Sequence, residues 1–285
     1  MKHFILTSLF VCAGAMSASA AEVWAPGVSS TAGWYDYHKT GSNDGYMADT
    51  AMCWAASASN IIAWWQNLNR SAITSDIPQN KEIFDTFRTI FTNGGGKAAY
   101  AYEWWVTGDW NAPDSEGWAS IDKGVTDDYP ALANGGFLQN VYNTALNPIS
   151  IVDSSNNPYA YSEAVVNALH NGYALTLSTE NSGVAHAYTL WGAEYDITKN
   201  GYELTAVWLT NSDDILNKPD IFRQAVVCEY SEGKKQGSVH FTGNMGYTLS
   251  NVAGLRTELL SIPEPTSAAL SMLALIGLAG KRRRR

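Results

Sequence analysis

The sequence predicts an α+β protein, with helices in its first part and an antiparallel sheet in its second. Three observations carry this. Apolar residues recur at helical spacing in 53–65 and 80–91. From 173 onward, short β-branched and aromatic runs follow one another in quick succession. Asn200-Gly201 separates two of those runs, which is a strong hairpin signal. Helices in one block and strands in another make an α+β arrangement. The 285 residues, 46% hydrophobic and 16% charged, are ample for one sizeable core.

Both ends are expected to be addresses rather than fold. Lys2 and His3 precede an apolar run at 4–16, and small residues fill 17–20, so 1–20 is expected to be a secretory signal cut after Ala20. At the other end, Ile262-Pro-Glu-Pro265 is followed by an apolar run at 266–280 and a basic block at 281–285. A basic block after an apolar helix stays on the inner side of a membrane. This three-part pattern resembles the PEP-CTERM sorting signal of Gram-negative envelope proteins. The resemblance implies an exosortase-type processing enzyme cutting near Pro-Glu-Pro. The membrane is then touched only through the C-terminal helix, before processing, and the product lies at the cell envelope or outside the cell.

The body, 21–261, is expected to be one domain. It carries 12 basic and 26 acidic residues, a net of −14. Such a surface is a poor match for nucleic acid or an anionic membrane. No internal repeat or dinucleotide glycine motif occurs in it, and no cofactor or metal is expected.

The helix at 53–65 is expected to be capped by Asp49 or Thr50 and to face the core with Trp54, Ala58, Ile61, Ile62 and Trp65. The next, 80–91, takes Asn80 as its cap and Ile83, Phe84, Phe87, Ile90 and Phe91 as its core face, and Gly94-Gly-Gly96 ends it. Residues 100–110 are dense in aromatics, for which core is the default. Loops with one short helix near 136–143 are expected in 111–160. Ser162 and Gly172 punctuate a helix between them. Strands are expected at 173–178, 185–195, 202–209, 225–230, 238–242 and 246–249.

Cys53 stands at the start of the first helix, where the positive end of the dipole favours thiolate. A buried structural cysteine is the plainer reading of that helix alone. Cys228, in an apolar strand, is its possible disulfide partner. Among the histidines, His170 ends a helix where the dipole explains it, His240 alternates in a late strand and His38 lies in a loop. His186 opens a strand whose hairpin partner ends in Thr210-Asn211-Ser212-Asp213. A hairpin therefore brings Asn211 or Asp213 to His186, where a carboxylate or amide orients the imidazole. The order Cys53, His186, Asn211 is the one papain-like enzymes use.

Four blocks carry a closer resemblance: Val23-Trp24 with Gly27-Val28; Gly33-Trp-Tyr-Asp-Tyr-His-Lys39; Cys53-Trp-Ala-Ala-Ser-Ala-Ser-Asn60 with Trp64-Trp65; and His186-Ala-Tyr-Thr-Leu-Trp-Gly-Ala-Glu-Tyr-Asp196 with Leu209-Thr-Asn-Ser-Asp213. Together they resemble the IdeS/Mac family of secreted, immunoglobulin-cleaving cysteine proteases. The resemblance implies a papain-like fold, with the Cys helix packed on an antiparallel sheet carrying His and Asn. It implies a cysteine endopeptidase acting on a protein or peptide substrate. Cys53 would be the nucleophile, His186 its partner, Lys39 an oxyanion-site cation and Asp213 a supporting acid. The sequence departs from the family at Asn211, where the family has Asp, and at Trp54, where it has Gly. It also departs in 97–160, which is expected to shape substrate choice, so immunoglobulin does not carry over. Two other readings stay open: an inactive surface- or matrix-binding protein on the same fold, favoured by a Cys53–Cys228 disulfide, and another papain-like amide hydrolase or transpeptidase.

Overall fold

A computed structural model describes residues 20–42, 47–122, 124, 127–152, 157–181, 183–198, 200–213, 220–231, 236–243 and 247–257. The expected signal peptide, apart from Ala20, and the sorting signal lie outside them.

The strands are β1 (Ala21–Trp24), β2 (Ser150–Val152), β3 (Tyr173–Asn181), β4 (Val184–Thr198), β5 (Gly201–Thr210), β6 (Phe222–Tyr230), β7 (Gly237–Phe241) and β8 (Thr248–Arg256). Every pairing between them is antiparallel. The path β4-β3-β8-β7-β6-β5 returns to β4 through the β4–β5 pairing, so six strands close a barrel. β1 adds to β4, and β2 to β8. Closure of the expected antiparallel sheet into a barrel removes most of its free edges.

The helices are α1 (Cys53–Leu68), α2 (Lys81–Ile90), α3 (Ala98–Thr107), α4 (Pro130–Ala133) and α5 (Pro158–His170). α1 packs on β4, β3 and β8, with α2 and α3 against its other side. It is therefore central, and every residue from Trp54 to Gln66 is buried rather than one face. α3 is the aromatic stretch, and Tyr102, Trp104 and Trp105 are fully buried, as a core reading requires.

Several expected boundaries differ, each for a local reason. Asp49 does not cap α1; the cap is Met52, with no side-chain bond. The Asp49 carboxylate accepts instead from the Thr40 and Gly41 N–H groups at 2.7 and 2.9 Å. Asn80 sits at φ +53° and makes no cap bond, and Glu82 reaches back to the Gln79 N–H at 3.3 Å. α5 starts four residues before Ser162, because Asn157 accepts from the N–H groups of Tyr159 and Ala160 and Pro158 follows it at the first helical position. Ser162 is buried within α5 and accepts the Leu204 N–H at 3.2 Å. The short helix of the middle region is α4, before 136–143, which forms turns. β8 runs well past the expected 249; its Gly254 lies where a Cβ would strike the Ala174 carbonyl, so that weak strand former is required there.

Candidate active site

The site lies where the N-terminus of α1 meets the start of β4. Two polar side chains on α1 set this contact. Ser57 donates to the Ala187 carbonyl at 3.0 Å, and Asn60 donates through Nδ2 to Thr189 Oγ1 at 2.9 Å. One turn before Ser57, Cys53 is thereby brought beside His186. Asn60 Oδ1 also accepts the Tyr37 N–H at 2.8 Å, which ties in the segment leading to Lys39. Sequence reasoning assigned Asn60 no role, because its partner Thr189 lies 129 residues away.

The β4–β5 register places the second half. Pairing ends at Thr189↔Thr210, and Asn211 follows immediately while β4 continues back to His186. His186 Nε2 donates to Asn211 Oδ1 at 2.8 Å. The same oxygen accepts the Asp213 N–H at 3.1 Å, which fixes it as an acceptor. The other ring nitrogen, Nδ1, is then the one left for the thiol, and the Asp213 carboxylate lies 3.4 Å from it. Tyr188 presents its ring to the imidazole in a T-shaped contact, centroids 4.5 Å apart.

Lys39 completes the group. Its backbone N–H bonds Ser212 O at 3.0 Å, so the 35–39 segment runs beside the end of β5. Its Nζ donates to Thr50 O at 2.7 Å and pairs with Asp213 at 2.5 Å. An ammonium has three donors, so one remains. All five expected site residues, Cys53, His186, Asn211, Lys39 and Asp213, line one cleft of about 500 Å³. Gly95, Gly96, Ser178, Val184, Ala185 and Tyr247 form the rest of its described wall, together with Thr50, Ala51, Ala187 and Tyr188. Among the described residues none of 97–160 is in that lining, and Tyr102, Trp104 and Trp105 are core.

The electrostatics are reciprocal. Burial pushes the Cys53 thiol up, but the hydrogen bond and charge of His186, the Lys39 charge and the Ala187 N–H outweigh it, so the thiol sits below its ordinary value. Burial pulls the His186 imidazole down, but the hydrogen bond and charge of Cys53, the Asn211 bond and the Asp213 charge outweigh that, so it sits above its ordinary value. A thiol lowered and an imidazole raised by each other favour a thiolate–imidazolium pair. Both Cys53 and Cys228 are free thiols, so the disulfide alternative is not realised. Trp54 does not crowd the cleft: it points into the core between Phe87, Phe91 and Trp110, its Nε1 donating to Gly94 O at 2.9 Å. Among the described residues no group of three His, Cys, Asp or Glu is gathered to hold a metal.

Comparison with known proteins places the chain in a family. The Mac 1 family model, Mac-1, matches residues 16–99 and 105–252. The chain belongs to the Mac-1 family. The match takes in Lys39, Cys53, His186, Asn211 and Asp213. A relative by sequence is a Streptococcus suis (strain P1/7) protein named IgM protease, 26% identical over 256 residues, covering 79% of this chain and 21% of its own length. The chain thus spans about a fifth of that relative. Helices packed on an antiparallel barrel are consistent with the papain-like architecture expected of a Mac-1 protein.

Proposed function

We propose that this protein is a cysteine endopeptidase with Cys53 as nucleophile, His186 as acid–base and Asn211 as the group that orients the ring. The observation that carries the reading is His186 itself. One of its nitrogens is fixed on Asn211 at 2.8 Å, leaving the other for a thiol whose acidity it raises, at the wall of an open cleft.

The chemistry is acyl transfer. The Cys53 thiolate attacks a peptide carbonyl carbon, and the carbonyl electrons move to oxygen. The Cys53 N–H, which in the first turn has no intrahelical acceptor, and the remaining Lys39 N–H stabilise that oxyanion. Each such donor is worth ~2.7–4 kcal/mol in comparable sites. His186 Nδ1–H protonates the leaving amine as the C–N bond breaks. Water then gives its proton to Nδ1, its oxygen attacks the thioester, and the thiolate is released. Asp213 holds Lys39 and favours the charged imidazole.

An extended substrate fits the edge of β4. The Ala187 N–H and carbonyl are directed to Cys53 and Ser57, away from β3. By strand alternation the same groups of Ala185, two residues earlier, turn into the cleft and can pair with a peptide backbone. The name IgM protease belongs to the Streptococcus suis relative; the substrate class proposed for this chain is an extended polypeptide, and immunoglobulin is not assumed. Export by the 1–20 signal and exosortase-type processing at 262–265 belong to the same proposal, as does a mature domain of 21–261; their support is the sequence pattern. The cell envelope or exterior is then the place of action.

The test is alkylation. In the full chain, iodoacetamide is expected to label Cys53 stoichiometrically near neutral pH, and His186→Ala is expected to lose that labelling. Equal, slow labelling of Cys53 and Cys228 in the unaltered protein would overturn the reading.

A further inference from the structure

We infer that Asn93 is a positioning residue that sets the oxyanion site through the segment 50–53; the inference rests on the peptidase reading above. The two donors assigned to the oxyanion hang on opposite ends of this segment. Lys39 Nζ is held on the Thr50 carbonyl at 2.7 Å. The Cys53 N–H opens α1 three residues later. Between them, Asn93 makes both available contacts. Its Oδ1 accepts the Ala51 N–H at 2.9 Å, and its Nδ2 donates to Thr50 Oγ1 at 3.0 Å. The next N–H, that of Met52, is bound to Asp49 O at 2.9 Å. Two consecutive N–H groups are therefore occupied before the chain reaches Cys53, and the Thr50–Ala51 peptide cannot rotate freely.

Asn93 is itself fixed on both sides. Thr92 N–H bonds Ser120 O at 2.9 Å, and Gly95 N–H bonds Gly117 O at 2.8 Å. Trp54 Nε1 donates to Gly94 O at 2.9 Å, and a Cβ on Gly94 would strike the Ala119 N at 2.5 Å. The glycine run thus lets the chain pass between the Trp54 ring and 118–119 and delivers the Asn93 amide to the segment below the nucleophile. The Asn93 side chain bonds to Ala51 and Thr50, on the oxyanion side of the nucleophile, rather than to His186 or Asn211. Its effect should fall on the oxyanion donors and spare the thiolate–imidazolium pair.

That separation is measurable, because two reagents use different parts of the site. Iodoacetamide alkylates a thiolate by displacement at carbon and forms no oxyanion. p-Nitrophenyl acetate acylates the same sulfur through a tetrahedral oxyanion. In full-length Asn93→Ala, acylation of Cys53 by p-nitrophenyl acetate is expected to fall roughly 10- to 100-fold, the scale of a displaced donor, while alkylation by iodoacetamide stays within about two-fold. Cys53→Ala supplies the background for both reagents. Thr50→Val, which removes only the hydroxyl acceptor and keeps the Thr50 carbonyl, is expected to shift acylation the same way by less. It serves as the second variant if Asn93→Ala does not fold. Equal losses in both reactions, or no loss in either, would overturn the role of Asn93. A failure of the peptidase reading looks different: the unaltered protein would show no preferential alkylation of Cys53.

Discussion

Among the described residues two free thiols stand in opposite states, and their difference points to where the chemistry is proposed. Both are partly buried, and burial pushes both up. Cys53 nevertheless ends below its ordinary value and Cys228 above it. Around Cys53 stand an imidazole, an ammonium and a backbone N–H at the start of a 16-residue helix. Around Cys228, in the middle of β6, stand the Ser162 hydroxyl at 3.7 Å, the Leu204 carbonyl at 3.8 Å and the Glu203 charge, which adds to the upward push. Burial does not distinguish a reactive cysteine from an inert one here. Positive neighbours do.

The sharpest way to break the contrast is to remove the cation. His186→Ala removes the largest of the groups that lower the Cys53 thiol and leaves burial opposed only by the Lys39 charge and the Ala187 N–H. Peptide hydrolysis is expected to fall ~10²–10⁴-fold, the usual weight of a general acid–base group. The pH profile should change shape as well. In the unaltered protein the reactive pair is lost as pH falls through the lowered thiol value, and again as pH rises through the raised imidazole value. Hydrolysis is therefore expected to be bell-shaped, its acid limb below the ordinary thiol range and its alkaline limb above the ordinary imidazole range. In His186→Ala, alkylation should follow one limb, displaced to higher pH. A single limb at the ordinary thiol value in both proteins would remove the basis for the pair.

Lys39→Met is expected to have the next largest effect. It removes one oxyanion donor, so hydrolysis should fall ~10²–10³-fold. Alkylation should fall far less, because Lys39 comes after His186 among the groups that lower the Cys53 thiol. The variant also frees Asp213 from its 2.5 Å partner. Comparable losses in hydrolysis and alkylation would instead make Lys39 a structural cation.

Much of this site was legible in the chain, and what was not has a common cause. The pairing of His186 with Asn211 followed from one hairpin, because an antiparallel register is fixed by its turn and its apolar face. Cys53 was placed by local helix periodicity. Asn93 and Asn60 were invisible because their partners are 42 and 129 residues away. Asp49 read as a cap because a short acidic residue before an apolar helix usually is one; in the fold, the Thr40–Gly41 turn and the Arg88 guanidinium, 3.2 Å from Asp49, compete for its carboxylate. The 250–256 strand was missed because Asn251, Ala253 and Gly254 are weak strand formers, and only neighbours on both sides, β3 and β2, hold them extended. The aromatics of 100–110 gave burial but not secondary structure, since aromatic density suits a core helix and a core strand alike.

Asn211 gives a smaller and more informative contrast, because the family position is expected to hold Asp. Asn211→Ala removes the acceptor from Nε2 and leaves the ring free to turn, and hydrolysis should drop roughly 10–100-fold, within the range of a lost orienting group. Asn211→Asp keeps the acceptor and adds a negative charge beside the imidazolium. The His186 value should rise further, and the alkaline limb should move to higher pH with little change at neutrality. An unmoved limb would mean that the carboxylate at 211 does not reach the ring.

Cys228→Ala should have the smallest effect. Its sulfur makes only long contacts to Ser162 and Leu204, and Ser162 keeps the Leu204 N–H at 3.2 Å without it. Losing one partly buried sulfur should cost about 1 kcal/mol or less, read as a lower denaturation midpoint. Hydrolysis and Cys53 alkylation should not change, because the groups that lower the Cys53 thiol, His186, Lys39 and Ala187, lie outside β6. If alkylation of Cys53 slowed in this variant, the two thiols would be coupled through the barrel. Reactivity at 53 could then no longer be assigned to the groups around it alone.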